Sequence, residues 1–506
     1  MALYKPSFTS IKSIYSLGNE DLNKIINSVH TIKGWVRSIR SQSNILFIQL
    51  YDGTHATPFQ TILDISLNDQ ISSSNNIDSR KELKDRLDSE LNVGATVQIT
   101  GKIVKSPAKG QLLEMQIIDA IVLGKVIDKD NYLPGVKGVS LEKLRDHLHL
   151  RSKFKSLASV FRIRSILSKA VHEFFHKNDF HHLDPNVITT SDCEGAGEVF
   201  TITNLFSSNK ISDIPVDKNG IIDFTKDFFQ KKAFLTVSSQ LQLEALCAGM
   251  GSVYTTNPSF RAEPSKTRRH MASFTHLEWE IPFIEIDDLM NFSEDLVKHC
   301  VKSVLEEAEY DVKELDAFLA KGLIAKLKNV VDNNFERISY TNAVKLIEDN
   351  KQNILSKFKE LDGKIPCWGD DLGSYCERYI CEEIYKKPVF VYNYPRNLKS
   401  FYMKQNSDEK YGMETVQGVD LLIPLVGELI GSSIREDNYD TLINEMDRRK
   451  MDKSPLEWYI DLRRNGTFSH GGAGLGFDRL VSFCTSMEGN IREATPFPVC
   501  FQECNI

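Results

Sequence analysis

Hydrophobic and polar side chains alternate along much of the N-terminal quarter of the chain. The alternation runs through HTIKGWVRSIR (30–40), ILFIQLYDGT (45–54), ATVQITGKIV (95–104) and LLEMQIIDAIVLG (112–124), with Gly and Asp near the turns. A period of two is typical of strands that bury one face. A polar stretch near residues 77–91 has a helical composition. Together these segments predict a small five-stranded barrel of the OB type within residues 1–128.

The pattern changes after residue 128. Residues 129–150 carry Pro and Gly and then a short helical repeat, which predicts a hinge. From 151 to 506, long amphipathic helices mix with strands rich in Val, Ile and Phe, which predicts an α+β domain built on an antiparallel sheet. The stretch 295–361 is rich in Lys, Glu, Asp and Leu at helical spacing and predicts a helical insertion in that domain.

The composition is that of a folded protein of two or three domains. The chain has 506 residues, 41% of them hydrophobic and 26% charged, and it lacks an apolar run of about 18 residues that would span a membrane. No secretory signal is visible, and the nine cysteines show no Cys-x-x-Cys spacing, so we expect a cytoplasmic, reducing environment. The net charge of −7 argues against non-specific binding of nucleic acid but leaves a specific RNA partner open.

A cationic segment, FRAEPSKTRRH (260–270), precedes the strand-like THLEWEIPF (275–283). Arginine forms paired hydrogen bonds with phosphate oxygens, so a loop of this composition is suited to holding a polyphosphate. The same composition also fits a solvated charged hairpin. The segment alone does not decide between the two.

A second segment, HGGAGLGFDRL (470–480), places four glycines ahead of an apolar helical run. Glycine permits close approach of the backbone to a planar ligand. The spacing is not that of a phosphate-binding P-loop, because no Lys-Ser or Lys-Thr pair follows. By itself, such a turn is weak evidence for a nucleotide site.

Taken together, these segments resemble the motifs of the class II aminoacyl-tRNA synthetases. The segment FRAEPSKTRRHMASFTHLEWE is similar to motif 2, GGAGLGFDRL to motif 3, and FFHKNDFHHLDPNVITTSDCEGAGEVF to motif 1, with Pro185 in the dimer-forming strand. The similarity runs from GWVRSIR to IREATPFP. The segments DFFQKKAFLTVSSQLQLEALCAGMGSVYTTNPSFRAE and WGDDLGSYCERYI resemble the asparaginyl branch of the subgroup that also holds the aspartyl and lysyl enzymes.

One further match points to a different class. The segment KMDKS (450–454) resembles the KMSKS loop of class I synthetases. That class also needs a His-x-Gly-His segment on a nucleotide-binding fold, and the sequence contains none. We interpret the match as a coincidence.

The resemblance implies that ATP and Mg²⁺ activate L-asparagine, which a homodimer then joins to tRNA(Asn). Attack of the amino-acid carboxylate on the α-phosphate depends mainly on positioning and charge stabilisation. By their places in the motifs, Arg261 and Arg479 are the expected catalytic residues, holding the α-phosphate and the β and γ end. The other expected ATP-binding residues are Glu263, Arg269, His270, Phe274, Glu428, Gly476 and Asp478.

Within that set, Phe274 would stack on adenine and Arg269 or His270 would assist Arg479. Glu428 matches a carboxylate that binds Mg²⁺ in this family, and a hard cation requires such oxygen ligands. Because Gly431 stands where aspartyl enzymes often carry Ser, Glu428 is the one metal ligand that the resemblance supplies.

For the amino acid, the resemblance assigns Glu194 and Gln240 to the α-amino group and Arg435 to the side chain. Aspartyl enzymes carry a Lys where this chain has Leu243, and the loss of a cation suits a neutral amide better than a carboxylate. Glu263 is the expected acceptor for the amide N–H₂ group. A site that leaves one isostere unpaired can discriminate by several kcal/mol.

In the barrel, the resemblance assigns Phe47 and Gln60 to the anticodon. Phe47 would stack on the middle nucleotide and Gln60 would read its base. Stacking on an aromatic ring is worth about 1–3 kcal/mol per base. The alternative for Phe47 is an ordinary buried strand residue.

Three other functions stay open at the level of sequence. An aspartyl enzyme would be the nearest, although Leu243 argues against it. A catalytically inactive paralogue that binds RNA is the second, and intact Arg261, Glu428 and Arg479 argue against it. A two-domain nucleotide-binding protein with another reaction is the third.

Overall fold

The computed structural model describes residues 7–67, 77–190, 198–208, 210–407, 412–487 and 490–505. The chain forms two compact units, Met1–Ser159 and Val160–Ile506. Glu194, predicted to bind the amino group of the substrate, lies outside the described residues. No helix within the described ranges is long and apolar enough to cross a membrane.

The first unit is built on five strands. Its helices are α1 (Ile11–Tyr15), α2 (Asn19–Ile25) and α3 (Ile77–Glu90), and its strands are β1 (Val29–Ser41), β2 (Ile45–Tyr51), β3 (Phe59–Asp64), β4 (Thr96–Lys105) and β5 (Leu113–Gly124). The strands close into a barrel in the order β1-β2-β3-β5-β4. Alternation along β2 sends Leu46, Ile48 and Leu50 into the barrel core, because successive side chains of a strand point to opposite faces. The predicted OB-type barrel is confirmed.

The segment predicted as a hinge, 129–150, belongs to this first unit. It contains a 3-10 turn at Leu133–Gly135 and the beginning of a second at Lys143–Lys153. The domain limits 1–128, 129–150 and 151–506 remain predictions.

The second unit surrounds a large sheet with helices. The helices are α4 (Lys155–Lys177), α5 (Gln240–Met250), α6 (Ile286–Glu307), α7 (Glu309–Phe318), α8 (Leu323–Asp332), α9 (Tyr340–Asp349), α10 (Lys351–Lys357), α11 (Gly373–Tyr379), α12 (Tyr439–Arg448), α13 (Glu457–Arg464) and α14 (Phe477–Thr485). A π-helical turn, Ile380–Ile384, continues α11. The α+β class predicted from the sequence is confirmed.

The strands of this unit form two sheets. They are β6 (His181–His182), β7 (Ile188–Thr189), β8 (Thr201–Ile202), β9 (Ala233–Leu235), β10 (Val253–Thr255), β11 (Pro258–Phe260), β12 (Ser273–Pro282), β13 (Glu336–Ser339), β14 (Val389–Pro395), β15 (Thr415–Ile423), β16 (Gly427–Ile434) and β17 (His470–Gly476). The main sheet has the order β13-β14-β15-β16-β17-β12-β10-β6, with β11 paired to β12, and β7-β9-β8 form the small sheet. The centre of the main sheet is antiparallel, whereas its two outermost pairs are parallel.

The stretch 295–361 is helical apart from one strand. It holds most of α6, all of α7 to α10, and β13, which pairs with β14 at the edge of the main sheet. Because β13 has only four residues, its alternation of hydrophobic and polar side chains is too short to be recognised in the sequence. The predicted insertion is therefore tied into the sheet by backbone hydrogen bonds.

Candidate active site

Three neighbouring strands, β12, β17 and β16, carry the side chains of the candidate site. His276 lies opposite Gly476, and Gly474 pairs with Glu278 on one side and Gly431 on the other. The cationic loop 261–272 joins β11 to β12, which pair in an antiparallel hairpin. Motifs 2 and 3 are thus adjacent strands of one sheet.

Glycines in β17 make room for side chains of the next strand. A Cβ atom at Gly474 would lie 2.5 Å from His276 Nε2, and one at Gly472 would lie 2.0 Å from Glu280 Oε2. Real Cβ atoms do not come this close to other heavy atoms. Gly472 therefore accommodates a buried protein carboxylate, a use of the glycine-rich motif that the sequence did not suggest.

Two adjoining cavities lie over these strands, with volumes of 110 and 400 Å³. Arg261, His276, Glu428 and Gly474 line both of them. Shared walls of this kind suit two reactants that must meet at one point. Every predicted ATP-binding residue lines the smaller cavity, namely Arg261, Glu263, Arg269, His270, Phe274, Glu428, Gly476, Asp478 and Arg479.

The smaller cavity has a cationic wall beside an aromatic ring. The Arg261 guanidinium lies 5.6 Å from the centroid of the Phe274 ring. Arg479 donates from Nη1 to the carbonyl oxygen of Glu428 at 2.8 Å and lies 3.8 Å from its carboxylate. Desolvation alone would raise the pKa of Glu428, but Arg479, Lys399 and Arg261 outweigh it and lower that pKa. Glu428 is therefore ionised at neutral pH.

His270 is held within the motif 2 loop. Its Nδ1 lies 3.0 Å from Ser265 Oγ and 2.6 Å from Thr267 Oγ1, and its Nε2 lies 3.8 Å from Glu263. Burial lowers the pKa of His270 below its ordinary value. The ring is therefore mostly neutral at pH 7, so it offers a hydrogen bond to phosphate and the fixed charge comes from the arginines.

Asp420 and Glu428 place two carboxylates beside Gly431. A Cβ atom on Gly431 would lie 3.0 Å from Glu428 Oε1 and 3.9 Å from Asp420 Oδ1. Lys399 donates to both oxygens of Asp420 at 2.6 and 2.7 Å. Within the described ranges, no group of three or more His, Cys, Asp or Glu side chains is placed to hold a metal by itself. Mg²⁺ is commonly held by one or two carboxylates together with phosphate oxygens, so this pair fits a metal that ATP helps to bind.

Asp478 is engaged within the protein. Its carboxylate accepts from Arg164 Nη1 at 2.6 Å and from the Thr275 backbone N–H at 3.0 Å. These bonds fasten the start of α14 to β12. Asp478 lines the smaller cavity, and its oxygens are bonded within the protein, to Arg164 in α4 and to the backbone of β12.

Of the four residues predicted to bind the amino acid, Gln240 and Arg435 line the larger cavity, Glu263 does not, and Glu194 lies outside the described residues. Leu243 also lines the larger cavity, whereas Glu263 lines the smaller cavity. The structure therefore does not bring Glu263 together with Gln240 and Arg435. Leu243 is buried, and it presents an apolar surface where a Lys would add charge.

Sequence reasoning missed Glu278, which also lines the larger cavity. Its carboxylate accepts from Ser238 Oγ and, at 2.9 Å, from the Ser239 backbone N–H. It thereby fixes the turn that leads into Gln240 at the start of α5. Its position two residues from His276 in β12 puts both side chains on one face, a signal that was readable from the alternation of the strand.

Arg435 is buried and paired. Its guanidinium donates to Glu280 from Nε at 3.1 Å and from Nη2 at 2.9 Å, and to Ser433 Oγ from Nη1 at 2.8 Å. A charged group taken out of water must be compensated in this way. Glu280 was not foreseen, because nothing local distinguishes it from the other acidic residues of motif 2.

In the first unit, Phe47 and Gln60 lie on the outer face of the barrel. Phe47 pairs with Ile62, and Gln60 pairs with Gln49 on the neighbouring strand. The Arg40 guanidinium lies 5.2 Å from the Phe47 ring centroid. Phe47 is half-buried and does not belong to the barrel core, so its ring is presented beside a cation on an accessible face.

The KMDKS segment (450–454) follows α12 on the surface. Lys453 pairs with Asp447 at 2.6 Å, and the Asp452 carboxylate accepts a hydrogen bond from the Ser454 backbone N–H at 3.0 Å. None of its residues lines either cavity. The structure gives this segment no part in the site.

Comparison with known proteins identifies the two units. Residues 140–500 match the family described as tRNA synthetases class II (D, K and N), and residues 30–123 match the OB-fold nucleic acid binding domain. The chain is 40% identical over 491 residues to the asparagine--tRNA ligase of Borrelia garinii subsp. bavariensis, covering 97% of this chain and 98% of that protein. It is likewise 40% identical over 474 residues to the asparagine--tRNA ligase of Photobacterium profundum, covering 94% and 95%.

Solved structures give the same result. The asparaginyl-tRNA synthetase of Pyrococcus horikoshii complexed with asparaginyl-adenylate superimposes with a TM-score of 0.77 at 28% identity, covering 96% of this chain and 97% of that one. The Entamoeba histolytica asparaginyl-tRNA synthetase gives a TM-score of 0.78 at 27% identity, covering 99% and 100%. The chain therefore belongs to the class II aminoacyl-tRNA synthetases of the aspartyl, lysyl and asparaginyl group, and within that group to the asparagine--tRNA ligases.

Proposed function

We propose that this protein activates L-asparagine with ATP and transfers it to tRNA(Asn). The proposal rests on two adjoining cavities. The smaller is lined by Arg261, Arg269 and Arg479, and the larger by Arg435, which is paired with Glu280. Arg261 lines both cavities. The first cavity suits a polyphosphate, and the second suits a small amide.

The residues of the smaller cavity would hold ATP for in-line attack. Arg261 stabilises charge on the α-phosphate, and Arg479 with Arg269 holds the outer phosphates, because the guanidinium fork matches phosphate oxygens. Phe274 offers a face for adenine. Glu428 and Asp420 would bind Mg²⁺, which neutralises charge on the phosphates when it is bound.

The larger cavity favours an amide over a carboxylate. Arg435 donates to the side-chain oxygen, and its charge is already matched by Glu280. Leu243 adds no further cation, and the charge of Lys399, which also lines this cavity, is matched by Asp420. Aspartate would bring an unbalanced anion into a buried site, which is costly. Glu263, the acceptor predicted for the amide N–H₂ group, does not line this cavity, whereas Glu278 does. We therefore assign this role to Glu278.

We further propose a cytoplasmic homodimer that requires Mg²⁺. The supporting observations are the similarity of residues 174–200 to motif 1 and the free, buried thiols of Cys247, Cys300, Cys376, Cys381 and Cys484. Light scattering that gives the mass of a monomer, 57.5 kDa, would contradict the dimer.

The decisive experiment is ATP–pyrophosphate exchange with the purified full chain, Mg²⁺ and no tRNA. Asparagine and aspartate are compared in parallel. Exchange with asparagine alone supports the proposal. Exchange with aspartate would make the protein an aspartyl enzyme, and exchange with neither would favour an inactive paralogue.

The substitution Phe47→Ala tests the part of the proposal that concerns tRNA. We expect the KM for tRNA(Asn) in aminoacylation to rise about 5- to 100-fold, because a stacked base is worth about 1–3 kcal/mol. Exchange without tRNA should be unchanged. Leu112→Ala, at an exposed position of the same unit, is the matched control. An unchanged KM for tRNA in Phe47→Ala would remove Phe47 from the tRNA contact.

A further inference from the structure

We propose that Glu244 is a specificity-determining positioning residue, which aligns Gln240 and Arg435 for an amide and keeps the pocket electrically balanced against aspartate. The inference deepens the proposed activation of asparagine and rests on it. Glu244 does not line either cavity. It acts through the residues that do.

The carboxylate of Glu244 joins the cavity wall to the interior. Its Oε1 accepts from Gln240 Nε2 at 3.0 Å and lies 3.7 Å from Arg435 Nε. Its Oε2 accepts from Arg463 Nη2 at 2.6 Å and from Tyr459 Oη at 2.8 Å. Oε1 therefore contacts Gln240 and Arg435, which line the larger cavity, and Oε2 is held by Arg463 and Tyr459.

Two helices and one strand converge on this carboxylate. Gln240 and Glu244 lie one turn apart on α5, and Tyr459 and Arg463 lie one turn apart on α13, so each pair shares a helix face. His470, at the start of β17, lies 3.2 Å away through Nε2. With five partners, the Glu244 side chain has a single available orientation.

The charge of Glu244 is maintained although its side chain is fully buried. Burial alone would raise its pKa, but Arg463, His470 and Arg435 outweigh that effect and hold the pKa well below its ordinary value. The guanidinium of Arg435 thus lies between two ionisable carboxylates, those of Glu244 and Glu280.

This arrangement separates the two candidate substrates. Asparagine adds no charge, so the balance between the arginines and the carboxylates is kept. Aspartate adds an anion next to Arg435, whose charge is already matched, and the neighbouring Leu243 contributes no cation. A buried unpaired charge is strongly unfavourable.

The test is Glu244→Gln in the full chain, measured by ATP–pyrophosphate exchange with asparagine and with aspartate. The amide keeps the shape but removes the negative charge, so Arg435 gains excess positive charge. We expect the KM for asparagine to rise about 10-fold and the ratio of kcat/KM for aspartate to that for asparagine to rise about 10-fold or more. The KM for ATP should stay unchanged.

Two further variants separate charge from position. Glu244→Asp keeps the charge but shortens the reach to Gln240, so the KM for asparagine should rise while the selectivity ratio stays at the wild-type value. Glu445→Gln is the matched control, because Glu445 is also a buried carboxylate that binds three arginines, Arg396, Arg448 and Arg449, outside both cavities. It should leave selectivity unchanged.

The outcomes distinguish the two levels of the proposal. An active wild-type protein whose selectivity ratio is the same in Glu244→Gln would overturn the role of Glu244 alone. A changed ratio of kcat/KM for aspartate to that for asparagine in Glu244→Asp would overturn the argument from charge. This variant gives the answer if Glu244→Gln does not fold. Wild-type protein that exchanges with aspartate and not asparagine would overturn the proposed function itself.

Discussion

The two cavities of the active site differ in how they hold their charges. On the phosphate side, Arg261, Arg479 and His270 keep 34%, 25% and 42% of their side chains exposed. On the amino-acid side, Arg435 is 3% exposed and Glu244 and Glu280 are fully buried. The arginines of the first wall are partly exposed to water, whereas the charges of the second wall are matched inside the protein.

This difference follows from what each cavity has to recognise. A polyphosphate is highly charged and flexible, so accessible cations that exchange water for phosphate suit it. Asparagine and aspartate are nearly the same shape and differ in charge, so discrimination needs a dry site where an extra charge is costly. Buried, compensated charges provide such a site.

The largest effect is expected from removing the buried cation. Arg435→Gln leaves Glu280 and Glu244 without their shared partner, so it should lower stability by about 3–5 kcal/mol. The kcat/KM for asparagine should fall at least about 100-fold. Thermal melting and pyrophosphate exchange measure the two effects, and Arg337→Gln, at a 31% exposed arginine with polar partners, is the control. A variant that melts with the wild type would contradict the view that this side of the site is a compensated network.

On the phosphate side, a loss of activity is expected with a smaller effect on stability. Arg479→Ala should lower kcat/KM for ATP about 100- to 1,000-fold, since it removes a donor to developing charge. The stability should change by less than about 1 kcal/mol, because the side chain is partly exposed. Thermal melting measures the change in stability, and ATP–pyrophosphate exchange measures the change in kcat/KM. A loss of stability like that of Arg435→Gln would erase the contrast between the cavities.

The smallest effect concerns Glu377 behind the phosphate cavity. A Cβ atom on Gly427, where φ is +82°, would lie 3.0 Å from Glu377 Oε2 and 2.8 Å from Arg269 Nη1, so these two side chains meet there. Burial, together with Glu428 and Asp420, raises the pKa of Glu377 to about 7. Glu377 is therefore protonated below that pH and becomes negative above it, where it offsets the charge of Arg269.

The wild-type KM for ATP should accordingly rise about 2- to 5-fold between pH 6 and pH 8 relative to Glu377→Gln. Because the folded protein keeps this proton to a higher pH than the unfolded chain, the stability contributed by Glu377 falls as pH rises from its ordinary pKa towards 7 and is constant above. Glu377→Gln should lack that part of the pH dependence. Parallel pH profiles of wild type and variant would refute the role of Glu377.

The sequence by itself determined the barrel and the α+β class, and it predicted a set of ATP-binding residues that line one cavity. Period-two alternation in residues 30–124 marks which strand faces are buried. The predicted ATP-binding residues fall in two short segments, 260–274 and 470–480, with Glu428 between them. All of them line one cavity, because the two segments form adjacent strands of one sheet, β12 and β17.

The tertiary structure decided the amino-acid side. Glu244 meets His470 across 226 positions of sequence and Arg463 across 219. It also placed Glu263, the expected amide acceptor, at the smaller cavity and Glu278 at the larger. No local pattern marks a carboxylate that will be buried, since burial is tolerated only where distant elements supply its partners. The compensated network is therefore a property of the packed fold.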